Sequence, residues 1–141
     1  MARPRREHPT PAELEVLHLL WRDGTASGRD VMEQLNRSQP RPRAYTTVMS
    51  LLNTMVDKGF LRRKAEGRAF IYSPRIKREP TLRRILADVV DRAFEGSARA
   101  LVANLLDQAR PDRDEIDAIH RAIAEYRQRR TKDKHKQSGT S

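Results

Sequence analysis

The chain has 141 residues, a formal net charge of +10, 34% charged residues and only 5% aromatic ones. That length fits one domain or two small ones around a modest core, and the charge fits a polyanionic partner. Cysteine is absent, which excludes disulfides, thiolate metal sites and cysteine catalysis. No apolar run approaches the ~20 residues of a membrane span. The basic start MARPRREHPT lacks the hydrophobic region of a secretory signal. A cytoplasmic protein with no membrane insertion is expected.

Residues 1–9 read as a disordered basic arm. Thr10 then caps a helix, with Pro11 at its first position and Glu13 completing a capping box. Leu14, Leu17, Leu20 and Trp21 follow at helical spacing, and Asp23-Gly24 stops the run. Trp21 is expected in the core; a second role for its indole N–H is a phosphate contact. Thr25-Ala26 is a short extended link. Ser27 caps a second helix from Gly28 to about Asn36, with Val31, Met32 and Leu35 inward. Pro40 and Pro42 mark a loop, so a third helix starts near Arg43 or Ala44.

That third helix has two unlike faces. Val48, Leu51, Leu52 and Met55 form an apolar stripe. Tyr45, Thr46, Met49, Ser50 and Asn53 lie opposite, with Thr47 near the border, and this second face is almost uncharged. A plain solvated face normally carries Lys and Glu pairs. From Arg37 to Arg78 the chain holds eleven Lys and Arg against two acids, Asp57 and Glu66. A neutral hydrogen-bonding face framed by cations suits a DNA major groove, where bases are read by hydrogen bonds and methyl contacts. Thr46, Thr47 and Met49 suit thymine methyls, and Thr46 or Ser50 suits base edges. Arg41, Arg43, Arg62, Arg63 and Arg68 suit phosphates.

After Gly59 the period changes. Phe60–Ala65 and Arg68–Ser73 flank Glu66-Gly67, where Gly67 supplies the positive φ of a tight hairpin. Three helices followed by a hairpin make a winged helix-turn-helix, with the hairpin as wing. Pro74 to Pro80 reads as a hinge. Helical spacing returns at Leu82, Ile85, Leu86, Val89, Val90 and Phe94, and Gly96 breaks it. Ala98, Leu101, Val102, Leu105 and Leu106 form another stripe. A last helix starts at Pro111-Asp112 with Ile116, Ile119, Ile123 and Tyr126 on one side. Three short amphipathic helices with few aromatics hardly enclose a core alone. Leu82, Ile85, Leu86, Val89, Leu101, Leu105, Ile116 and Ile119 are therefore expected to pair with a second copy.

The fold class expected is mainly α with a small β-hairpin wing. A winged helix-turn-helix domain at 10–76 precedes a three-helix dimerisation domain at 77–127, and 128–141 forms a disordered basic tail. His8, His18, His120 and His135 show no ligand pattern, and His18 reads as structural. No Ser/His/Asp order, Gly-rich phosphate loop or metal pair stands out. No enzymatic activity, cofactor or metal is expected.

Three stretches, TPAELEVLHLLW, AYTTVMSLLNTMVDKGFL and GRAFIYSP, resemble the BlaI/MecI/CopY family of bacterial repressors, often called penicillinase repressors. The resemblance runs from about Pro9 to Tyr126. It implies a homodimer that occupies a palindromic double-stranded operator and represses resistance or stress genes. In the β-lactam branch a membrane sensor metalloprotease leads to cleavage in the C-terminal domain, commonly between Asn and Phe. Here Asn104-Leu105 takes that place, so the sensor or its downstream protease is an implied partner. The copper branch uses Cys-x-Cys, which this chain lacks. Two other readings are a ligand-responsive regulator of the MarR kind and a winged helix that docks a protein. MarR-like chains usually carry dimer helices at both ends, whereas here the extra helices are all C-terminal.

Overall fold

The computed structural model describes residues 8–37 and 39–138. They form α1 (Pro11–Asp23), β1 (Ala26–Ser27), α2 (Gly28–Asn36), α3 (Tyr45–Asp57), β2 (Leu61–Glu66), β3 (Ala69–Pro74), α4 (Arg78–Ala93), α5 (Ala98–Ala109) and α6 (Arg113–Ser138). The three strands make one antiparallel sheet in the order β1-β3-β2. This is the mainly helical, hairpin-winged class expected. The chain divides into two compact units, Met1–Val89 and Val90–Ser141.

In the first unit the capping box forms as read. Thr10 Oγ1 accepts from the Glu13 amide at 3.2 Å, and Glu13 Oε1 accepts from the Thr10 amide at 2.9 Å. Such a cap is worth ~1 kcal/mol. Glu13 is only 1% exposed, and Lys58 Nζ donates to both its oxygens at 3.1 and 3.2 Å. The start of α1 is thus tied to the end of α3, each charge sitting at the helix end that its sign favours. The core comprises Val16, Leu17, Leu19, Leu20, Val31, Leu35, Val48, Leu52, Met55, Leu61 and Tyr72, with Ala26 and Phe60 at its edge. Leu14 is half-buried, and Val16 and Leu19 add to the inward face of α1.

The hairpin register pairs Glu66 with Ala69, leaving Gly67-Arg68 as the two-residue loop. This is one residue later than Glu66-Gly67. Gly67 has φ +61 at the first loop position, as a type II′ turn requires.

The segment read as a hinge is bonded to the winged helix. Trp21 Nε1 donates to the Ile76 carbonyl at 2.9 Å, which occupies the indole donor and removes it from phosphate contact. The Arg75 amide donates to Phe60 O at 2.8 Å, and Ile76 packs on the core. α4 begins at Arg78, before Pro80; a first-turn proline loses no intrahelical bond. Thr81 is buried, and His8 Nε2 lies 3.5 Å from Asp88 Oδ2. These contacts explain why the first unit runs beyond residue 76. Of the expected arm, residues 1–7 lie outside the described residues, and His8 and Pro9 are half-buried.

In the second unit Ser97 Oγ caps α5 by accepting from the Ala100 amide at 3.1 Å. Asp112 Oδ1 does the same for α6, accepting from the Glu115 amide at 2.8 Å. α6 continues to Ser138, so the expected tail is helical over 128–138. Arg, Gln and Lys are good helix formers, and neither Gly nor Pro interrupts them before Gly139. Residues 139–141 lie outside the described residues. Among the described residues of this unit none is buried.

Candidate nucleic-acid interface

The entry to α3 is fixed from α2. Asn36 Nδ2 donates to the Arg43 carbonyl at 3.0 Å, and the Arg43 amide donates to Asn36 Oδ1 at 2.9 Å. Ala44 occupies the cap position of α3 and no side chain caps it. The first-turn amides are therefore open to an anion.

Val48, Leu52 and Met55 of α3 are buried and Leu51 is half-buried. Tyr45, Thr46, Thr47, Ser50 and Asn53 are exposed. Thr54 shares that exposed face and is missing from the expected set; the uncharged run, followed to the residue four after Ser50, could have found it. Met49 departs from the expected set. It is half-buried against the core, and a Cβ built on Gly28 would lie 2.7 Å from its Sδ. Met49 fills the gap between α2 and α3, and Gly28 lets the two helices come close.

The arginines sort by strand geometry. Residues alternate faces along a strand, and Arg63 pairs with Tyr72 while Arg62 pairs with Ser73. Arg63 therefore shares a face with Leu61, Phe70 and Tyr72, the face that meets α3. Arg63 Nη1 donates to Asn53 Oδ1 at 3.1 Å, and its guanidinium carbon lies 4.7 Å from the Phe70 ring centroid. Burial pushes the Tyr72 phenol above its ordinary pKa, and the Arg63 charge works against that rise. Arg62 is on the opposite face and lines a shallow recess with Trp21, Arg75, Ile76, Lys77 and Arg78. Arg68 is exposed in the hairpin loop, and Arg41 is exposed ahead of α3. Arg43 is half-buried, and its Nη2 lies 3.2 Å from Glu15 Oε2, so its side chain joins α1 to the loop.

The residues expected to pair two copies fall in both units. On α4, Leu82 and Ile85 are half-buried, while Leu86 and Val89 are exposed. In the second unit Leu101, Ile116 and Ile119 are half-buried, and Val102, Leu105, Ile123 and Tyr126 are exposed. The Asn104-Leu105 bond lies inside α5, and Asn104 Nδ2 donates to the Ala100 carbonyl at 2.8 Å. His18 is exposed, its ring edge-on to Trp21 with centroids 5.4 Å apart. Among the described residues no group of three His, Cys, Asp or Glu could hold a metal ion. No helix among them is long and apolar enough to cross a membrane.

The chain is 25% identical to the penicillinase repressor of Bacillus licheniformis over 119 residues, 84% of this chain and 91% of that protein. It is 33% identical to the transcriptional regulator BlaI of Mycobacterium tuberculosis over 115 residues, 80% of each chain. It is also similar to the solution structure of monomeric Bacillus licheniformis BlaI in complex with the blaP half-operator. There the identity is 27%, the TM-score 0.46, and the coverage 55% of this chain and 90% of that one. The family model for the penicillinase repressor matches residues 9–125, and the chain belongs to that family.

Proposed function

We propose that this protein is a DNA-binding transcriptional repressor that occupies a palindromic operator as a homodimer. The observation that carries the reading is the uncharged, hydrogen-bonding face of α3. It stands exposed on a folded winged helix in a member of the penicillinase repressor family. Thr46, Thr47 and Ser50 present hydroxyls and methyls to base edges. Arg41 and Arg68 meet phosphates on either side, and the open amides of α3 take a further phosphate. Occupying promoter DNA blocks transcription without catalysis.

Two recognition helices enter successive major grooves only if two copies are held at a fixed spacing. The second unit supports that role, since it has no buried residue among those described while Val102, Leu105, Ile123 and Tyr126 stand exposed. Large exposed apolar sets of this kind mark association surfaces. A second copy would cover them. Release follows from any signal that breaks this pairing. Cleavage at Asn104-Leu105, by a sensor metalloprotease or a protease downstream of it, is one such signal. The bond is helical, so α5 must unwind locally before a protease can act.

Footprinting the full chain on the promoter region of its own gene tests the reading. Two equal protected half-sites one helical turn or a multiple apart are expected, with affinity falling steeply as salt rises. Protection that ignores sequence, or a salt-independent affinity, would remove the operator assignment.

A further inference from the structure

Asn53 and Arg63, both expected to touch DNA, are hydrogen-bonded to each other. Asn53 sits seven residues after Thr46, on the outward face of α3, and Arg63 sits on the wing. The Arg63 guanidinium is held on two sides, by the Asn53 amide oxygen at 3.1 Å and by the Phe70 ring at 4.7 Å. Phe70 and Tyr72 are on the neighbouring strand, on the same hairpin face as Arg63. The side chain thus bridges three elements, α3, β2 and β3. Beneath it Tyr72 is fully buried, so the bridge rests on a rigid floor.

A two-stranded ribbon is weakly held by itself. Beyond Arg63 every residue of β2 is exposed, and at the outer end of β3 so are Ala69 and Phe70. The outer half of the wing therefore has little packing to fix its direction. Asn53 and Arg63 supply the polar link between the recognition helix and that half. We infer that Asn53 and Arg63 are positioning residues. Their hydrogen bond sets the angle of the wing against α3, so that Arg68 and the α3 face engage one duplex together. This rests on the DNA-binding reading above. It differs from a direct role in what each substitution does. A phosphate grip by Arg63 predicts a loss independent of Asn53. A base contact by Asn53 predicts relaxed preference at one base pair per half-site.

The test is a double-mutant cycle in the full chain with Asn53→Ala, Arg63→Ala and both together. Both sites are exposed, and Ala is a good helix former at Asn53 on α3, so folding is retained. Each single change is expected to weaken operator binding roughly threefold to tenfold, the scale of one net hydrogen bond. The double change is expected to cost no more than the larger single one. The base preference of Asn53→Ala stays that of the unsubstituted protein. A second measurement needs no DNA: amide hydrogen exchange over residues 62–73 of the free protein speeds up in each variant. Additive losses on the operator overturn the inference, and so does unchanged exchange in the free wing. A protein that fails to bind any operator would sink the repressor reading but leave the exchange measurement to decide this one.

Discussion

On the proposed operator reading, Thr46 is the residue expected to read DNA most directly. It lies exposed in the first turn of α3, where residues of a second helix approach base edges, and it offers both a hydroxyl and a methyl. Thr46→Ala should lower operator affinity by about 1–3 kcal/mol, the value of one good base contact. Binding to random duplex should hold, because the arginines set it. Fluorescence anisotropy on both DNAs distinguishes these; equal losses on the two would take Thr46 out of the reading set. At the same scale, Lys58 is a structural cation. Removing it leaves Glu13 buried with the Thr10 amide still donating to it. Lys58→Met should destabilise the fold by about 3 kcal/mol, measured by urea unfolding. The bases of these assignments differ in legibility. Thr46 could be read from the neutral run of α3. The fate of Arg43 could not, because its partner Glu15 is distant in sequence and only packing brings them to 3.2 Å.

Among the elements, the wing divides its arginines by strand parity. Local pattern located the hairpin, since Gly67 and the change of period mark it. The register needed the loop position, and a one-residue shift moves a side chain to the other face. Arg68, in the loop itself, is free of that parity. Arg68→Ala should weaken binding to all duplexes alike and reduce the slope of log affinity against log salt by about one. An altered base preference with an unchanged slope would contradict its place on phosphate. At the end of α5, Arg110 adopts the left-handed conformation, φ 45, which costs a non-glycine residue roughly 1–2 kcal/mol. Arg110→Gly should raise the thermal midpoint in calorimetry. A lower midpoint would mean that the arginine side chain contributes more than its backbone strain costs.

For the whole molecule, the contacts that Ile76, Thr81 and Asp88 make decide how short a fragment can be. A fragment ending at Pro74 would lose Ile76, which accepts the Trp21 indole bond, and the buried Thr81. Residues 1–89 keep both. That fragment should fold, sediment as a monomer and bind the operator far more weakly than the full chain. Dimerisation as tight as that of the full chain would place the interface in the winged helix instead. The architecture as a whole was legible from periodicity and caps. The extent of the first unit was not, because Trp21 and Ile76 are 55 positions apart and no local pattern couples them. The reach of α6 is not legible for another reason: a charged segment with good helix formers looks like a tail by composition.

The paired bonds between Asn36 and Arg43 also free the stretch they span from any duty in aiming α3. The two anchor points are locked to each other by one side chain, so α3 is aimed from α2 directly. Doubling a flexible loop costs only about 0.6 kcal/mol in closure entropy. A short insertion between Gln39 and Pro40 should therefore leave the recognition helix entering at the same angle, with Arg41 still joined to α3 through Pro42 and Arg43.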